Sequence, residues 1–139
     1  MTFALDERLE RDMFLVGDFP LCRVLVMDDS RWPWLILVPM REGIVELADL
    51  NEADRRVLIE EAAEAADFLK GHTGADKINI GALGNVVRQF HFHVVARSAG
   101  DENWPRPVWG LGSPQPYDEG EEWTLIEAAR RALRVKRPE

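Results

Sequence analysis

Two histidines spaced two residues apart are the side chains of this protein best suited to chemistry. His91 and His93 alternate with large apolar residues in the segment 89–95, which reads QFHFHVV. Because successive side chains of a β-strand point to opposite faces, a strand here would place Gln89, His91 and His93 on one face. The apolar residues on the opposite face would be Phe90, Phe92 and Val94. Imidazole can act as a nucleophile, an acid or a base near neutral pH, so we predict the active site on the histidine face.

Three interpretations of this face are open from the residues alone. In the first, one imidazole attacks an electrophile such as phosphorus and forms a covalent intermediate. In the second, the His-x-His pair supplies two ligands to a metal ion. The third histidine, His72, falls near the far end of a predicted helix, and no carboxylate has a spacing diagnostic of a metal site. In the third, both imidazoles merely occupy a sheet face, since a short motif alone does not establish a site.

Composition narrows the classes of function. A chain of 139 residues that is 46% hydrophobic is long enough to form a core, and we expect one domain over residues 1–139. A net charge of -8 argues against a nucleic-acid partner, because nucleic acids are bound mainly by clustered Lys and Arg. We expect no membrane association and a cytoplasmic location. The charged segment 1–18 lacks the apolar core of a signal peptide, and the single cysteine, Cys22, fits a reducing compartment.

Spacing of apolar residues predicts an α+β fold with several strands and helices. The predicted elements are a short amphipathic helix over 5–13, a hairpin of strands at 22–27 and 34–38, a long helix after Asn51, a strand at 78–82, the histidine strand, and a last helix over 123–133. We expect the long helix to end at Gly71 or Gly74. Its glutamates Glu60, Glu61 and Glu64 are predicted to face water.

The segment from Gly84 to Val95 resembles the signature of the histidine triad (HIT) superfamily. In that signature, a Gly-Gln-Ser/Thr-Val segment leads into His-φ-His-φ-His-φ-φ, where φ is apolar. The resemblance extends over residues 20–110 and is specific over residues 84–97. It implies an antiparallel sheet with a long helix packed on it and a C-terminal helix.

The resemblance also implies roles for individual residues. His91 takes the position of the nucleophilic histidine, and His93 that of a histidine that donates a hydrogen bond to a phosphate or leaving-group oxygen. Gln89 replaces the first histidine of the triad; its amide can orient neighbouring groups but cannot shuttle a proton. Asn85 matches a phosphate-contacting Gln, and the backbone at Gly84 could add a donor. The weaker candidate Asp28 would hold a ribose hydroxyl.

We therefore expect a nucleotide hydrolase or nucleotidyl transferase that acts on the α-phosphorus through a nucleotidyl-His91 intermediate. The substrate would be a dinucleoside polyphosphate or a nucleoside phosphoramidate, with no cofactor or obligatory metal, and relatives imply a homodimer. The departures at Gln89, Val86 and Trp34 each remove a polar or titratable group that relatives have. The alternative is a weakly active or inactive nucleotide-binding module of the same fold.

Overall fold

The computed structural model describes residues 2–138, which form three helices and five strands. The helices are α1 (Glu7–Asp12), α2 (Glu52–Thr73) and α3 (Trp123–Ala132), with a short 3-10 turn at Leu47–Asp49. The strands are β1 (Met13–Asp18), β2 (Cys22–Met27), β3 (Trp34–Pro39), β4 (Lys77–Gly81) and β5 (Phe92–Arg97). Within residues 2–138, no helix has the length and apolar character required to span a membrane.

All five strands belong to one antiparallel sheet with the order β1-β2-β3-β5-β4. The predicted hairpin is confirmed as β2 and β3, in which Leu25 lies opposite Ile36. Strand β5 lies between β3 and β4, where His93 pairs with Ile36 on one side and Gly81 on the other. The α+β prediction is therefore confirmed, and the histidine segment leads into an interior strand.

Both faces of the sheet are buried, by different parts of the chain. One face packs against α2 and α3 through Leu58, Ala65 and Ile126. The other face carries Trp34 and packs against residues of the N-terminal region, among them Leu9 of α1, and of the loop after β5, among them Val108. Alternation along β5 sends Val94 to the first face and Val95 to the second. We call the second of these surfaces the indole face, because Trp32, Trp34 and Trp109 pack there.

The limits of α2 follow from its capping residues. The Asn51 side chain accepts a hydrogen bond from the backbone N–H of Asp54 at 2.8 Å, as an N-cap residue does. Gly74 closes the helix with φ of 70° and an N–H that bonds to the Lys70 carbonyl at 2.9 Å. Of the two ends predicted from the sequence, Gly74 is correct, because it supplies the left-handed conformation that glycine adopts without strain.

The N-terminal region differs from its prediction. The predicted helix over 5–13 is shorter, and Met13 begins the edge strand β1 instead of ending the helix. Phe14 pairs with Val26 of β2, and Asp18 exchanges backbone hydrogen bonds with Lys136 near the C-terminus. The run FLV at 14–16 favours a strand, and long-range pairing overrides the helical spacing of Leu5, Leu9 and Met13.

Glu61 is buried rather than facing water, so the prediction for this glutamate is wrong. Its two carboxylate oxygens accept hydrogen bonds from the backbone N–H groups of Leu21 at 2.9 Å and Cys22 at 2.8 Å. Burial raises the pKa of Glu61, while these N–H groups act in the opposite direction. The carboxylate therefore joins α2 to the start of β2.

We expect Glu61→Ala to lower the free energy of unfolding by about 2–4 kcal/mol, because two buried N–H groups lose their acceptor. Glu61→Gln keeps one acceptor oxygen and should lose less. The matched control is Glu60→Ala on the exposed side of the same helix turn. Urea denaturation of the three variants would measure the effect, and equal stability of the Glu60 and Glu61 alanine variants would contradict it.

Candidate active site

A cavity of about 780 Å³ opens on the indole face, and both histidines line it. His91, His93 and Trp109 contribute aromatic rings to its wall. The remaining lining comes from α1, from the loop over 83–87, from the end of β2 and from Pro114 and Pro116 in the loop before α3. The histidines are therefore largely buried side chains with access to one chamber, and not residues of an exposed strand edge.

The first imidazole, His91, is oriented by a backbone carbonyl. Its Nδ1 lies 2.7 Å from the carbonyl oxygen of Gln89. A carbonyl oxygen can only accept, so Nδ1 carries the hydrogen of this bond. In the neutral ring, Nε2 then holds the free lone pair, which is the form a nucleophile requires.

The second imidazole, His93, is held in the opposite tautomer. The indole Nε1–H of Trp34 donates to Nδ1 of His93 at 3.1 Å, so in the neutral ring the hydrogen lies on Nε2. Burial, with a smaller contribution from the charge of His91, lowers the pKa of His93 to about 3. His93 is thus a neutral donor through Nε2–H, and its ring centroid lies 5.0 Å from that of His91.

Trp109 completes the aromatic surroundings of His93. Its ring meets His93 edge to face at a centroid distance of 5.4 Å, and it packs against Trp34 at 6.4 Å. Glycine on β4 favours this approach, because a Cβ at Gly81 would lie 3.1 Å from Cη2 of Trp109 and the ring would have to shift by a few tenths of an ångström. No local pattern in the sequence indicates this contact, since Trp109 lies in an irregular loop far from the histidine motif.

The predicted substrate-binding residues also reach the cavity. Gly84, Asn85 and Asp28 line it together with the two histidines. Gly84 has φ of 74°, a left-handed conformation that turns the loop between β4 and the histidine segment. The carboxylate of Asp28 already accepts the backbone N–H of Tyr117 at 2.9 Å, so it also fastens the C-terminal segment beside the site.

A family model described as "HIT domain" matches residues 8–100 of the chain. The chain belongs to the histidine triad (HIT) family.

Solved structures of histidine triad proteins are similar to this one over almost the whole chain. A HIT protein from Sinorhizobium meliloti is 52% identical, with a TM-score of 0.91 over 94% of this chain and 97% of that one. Histidine triad proteins from Bradyrhizobium japonicum and Marinobacter aquaeolei are 45% and 39% identical, each with a TM-score of 0.92. They cover 95% and 96% of this chain, and 98% and 97% of their own. No match is found among curated protein sequences.

Membership of the HIT family establishes the predicted fold and indicates a nucleotide-binding or hydrolase-type function. HIT proteins are generally hydrolases or transferases.

Gln89 does not share a strand face with the two histidines, as the sequence predicts that it would. Strand β5 begins at Phe92, so Gln89 lies in the segment before the strand, and it is not among the residues that line the cavity. Its amide instead accepts the backbone N–H of Asp6 at 2.8 Å and donates to the carbonyl of Ala4 at 2.9 Å. The prediction of a shared strand face is corrected because this amide can satisfy both a donor and an acceptor of the N-terminal backbone.

A metal ion bound by His91 and His93 would need at least one further ligand, and the part of the chain that the structure describes does not supply one. There, no three His, Cys, Asp or Glu side chains converge in an arrangement that could hold a metal ion. His72 lies on α2, where it stacks on Phe68 at a centroid distance of 5.4 Å.

Replacing Trp34 should release the tautomer of His93. In the wild type, we expect nitrogen-15 NMR to show an unprotonated Nδ1 and a protonated Nε2 on His93, since the indole can only donate. Trp34→Phe removes that donor and should yield a mixture of both tautomers. Trp123→Phe, at an exposed tryptophan of α3, is the matched control. A wild-type ring protonated at Nδ1 would contradict the assignment.

His93 should also make stability depend on pH. Its folded pKa lies below its unfolded value, so the unfolded chain binds more protons between about pH 6.5 and 3. Stability from this group is complete above pH 6.5 and decreases as the pH falls through that window, by up to about 1.4 kcal/mol per pH unit.

The check compares urea denaturation of the wild type with that of His93→Asn, at neutral and at mildly acidic pH. The asparagine oxygen can still accept the Trp34 N–H, but it does not titrate. The wild type should lose more stability than the variant on acidification. Equal losses would show that His93 does not carry the effect.

Proposed function

We propose that this HIT protein is a nucleotide hydrolase or nucleotidyl transferase that attacks the α-phosphorus of its substrate with Nε2 of His91. The observation that carries the proposal is the pair of opposite tautomers in one cavity. A backbone carbonyl takes the hydrogen on Nδ1 of His91, while an indole N–H takes the lone pair on Nδ1 of His93. One ring therefore presents a lone pair at Nε2 and the other presents a hydrogen.

In the first step, Nε2 of His91 forms a bond to the α-phosphorus, and the bond from phosphorus to the leaving group breaks. The electron pair of that bond departs with the leaving group. The imidazole becomes positively charged, and its Nδ1–H remains bonded to the Gln89 carbonyl, which stabilises the charge. The Nε2–H of His93 donates to a phosphate or leaving-group oxygen as negative charge develops there.

The protonation state of His93 favours one class of leaving group. Its Nδ1 already accepts the Trp34 N–H, and burial lowers its pKa to about 3, so at neutral pH the ring donates a hydrogen bond through Nε2–H without transferring a proton. A polyphosphate departs as a stable anion and needs no proton, whereas an amine does. We therefore infer that dinucleoside polyphosphates are better substrates than phosphoramidates.

In the second step, an acceptor attacks the nucleotidyl-His91 intermediate. With water as the acceptor, its oxygen forms a bond to phosphorus and the P–N bond to Nε2 breaks. The electron pair of that bond returns to Nε2, which restores neutral imidazole. The nucleoside monophosphate leaves, and the two protons of water are released to the product and solvent. With another hydroxyl acceptor, the same step transfers the nucleotidyl group. Asn85 and the backbone near Gly84 lie on the cavity wall, where they can contact the phosphate.

The test measures turnover of diadenosine tetraphosphate and of adenosine 5′-phosphoramidate by the wild type, His91→Ala and the control His72→Gln. The control replaces an exposed histidine on α2. Loss of the nucleophile should reduce kcat by roughly 10³-fold or more, whereas the control should retain wild-type turnover. Mass spectrometry of acid-sensitive adducts should find the nucleotidyl group on the peptide that contains His91.

Near-background turnover of both substrates by wild type and His91→Ala would overturn the catalytic proposal. Titration calorimetry with AMP then decides for the alternative, since binding without turnover identifies a nucleotide-binding module. The observation in favour of this alternative is Gln89, because its amide does not titrate and it is not among the residues that line the cavity.

A further inference from the structure

The cavity of this acidic chain has two arginines at its mouth. Among the described residues that line the cavity, the basic ones are Arg8 and Arg11 of α1. Their presence is notable in a chain with 17 Lys and Arg against 25 Asp and Glu, because phosphate groups are bound chiefly by such cations. The acidic residues of the same lining are Asp12 and Asp28.

Several contacts hold α1 in this place. The amide of Gln89 bonds to the backbone of Ala4 and Asp6, immediately before the helix. Leu9, on the helix itself, is 2% exposed and packs into the indole face. Nη1 of Arg8 lies 3.4 Å from the carbonyl of Val86, so it reaches across to the loop that borders the histidines.

Both guanidinium groups can exchange their partners. Arg8 pairs with Asp6 at 3.2 Å, and Arg11 pairs with Asp12 at 3.0 Å. The side chains of Arg8 and Arg11 are 46% and 69% exposed, and ion pairs of solvent-exposed arginines are typically worth about 0–1 kcal/mol, although Asp6 itself is half-buried. A phosphate group that accepts two parallel N–H bonds from one guanidinium can therefore compete with the neighbouring carboxylate.

We propose that Arg8 and Arg11 form a subsite for the phosphate groups of a polyphosphate leaving group, and that Gln89 positions it by tethering α1. This inference rests on the proposed function of the cavity and extends it to the distal part of the substrate. The position that holds the first triad histidine in relatives thus serves specificity here. Gln89 is a positioning residue in this scheme, because its amide bonds to backbone outside the cavity.

The kinetic test compares diadenosine tetraphosphate, whose leaving group is ATP, with adenosine 5′-phosphoramidate, whose leaving group carries no phosphate. For Arg8→Gln/Arg11→Gln, the ratio of kcat/KM for the tetraphosphate to that for the phosphoramidate should fall about tenfold or more, mainly through KM. The control is Arg56→Gln, an exposed arginine of α2 whose i,i+4 partner is Glu52. An unchanged ratio in the double variant would overturn the subsite.

Gln89→Met tests the tether, because methionine is of similar length but can neither donate to Ala4 nor accept from Asp6. The same ratio should fall in this variant, and amide hydrogen exchange over residues 4–12 should accelerate. An unchanged ratio with faster exchange would remove Gln89 from the scheme and leave the arginines in place.

A binding measurement separates failure of the subsite from failure of the proposed function. Titration calorimetry with inorganic tripolyphosphate needs no turnover, and the double variant should bind it about tenfold more weakly than the wild type or Arg56→Gln. Equal affinity in all three proteins would refute the subsite even if the enzyme is active. Weaker binding in the double variant together with an inactive wild type would refute the catalytic proposal alone.

Discussion

The constraint on which the site depends is that β5 must serve two cores at once. It pairs with β3 on one side and β4 on the other, and its alternate side chains enter opposite faces of the sheet. Phe92 and Val94 pack toward α2, so His93 is directed to the indole face. A slip of one residue would exchange the two faces and bury imidazole beneath the helix, which fixes the register of the histidine segment.

Two hydrogen-bond partners of opposite kind then differentiate two chemically identical side chains. A carbonyl can only accept and an indole can only donate, so His91 and His93 adopt different tautomers although they lie two residues apart. Burial reinforces the difference, because it disfavours the charged form of His93. Trp34 therefore has a defined part in this arrangement, because its N–H occupies Nδ1 of His93 and leaves the hydrogen of that ring on Nε2.

Local patterns predicted the parts of the fold that local interactions determine. The Asn51 cap, the Gly74 end of α2 and the β2–β3 hairpin follow from residues close in sequence. The predictions that failed all depend on contacts between residues that are far apart in the sequence. Strand β1 depends on pairing with β2, the burial of Glu61 depends on N–H groups 39 and 40 residues away, and Gln89 bonds to backbone over 80 residues distant. Single-sequence periodicity carries no information about such partners.

A chain of net charge -8 would be expected to repel the anionic polyphosphate that we propose it binds. At physiological ionic strength, the Debye length is about 8 Å, so a substrate within the cavity responds chiefly to nearby charges and not to the total. Among the described residues that line the cavity, the cations are Arg8 and Arg11, which pair with the half-buried Asp6 and the exposed Asp12. These pairs offset the charge of each arginine, and a phosphate that displaces the carboxylates gains both guanidinium groups. Acidity of the whole chain and recognition of an anionic leaving group are therefore compatible, provided that α1 stays tethered at the cavity.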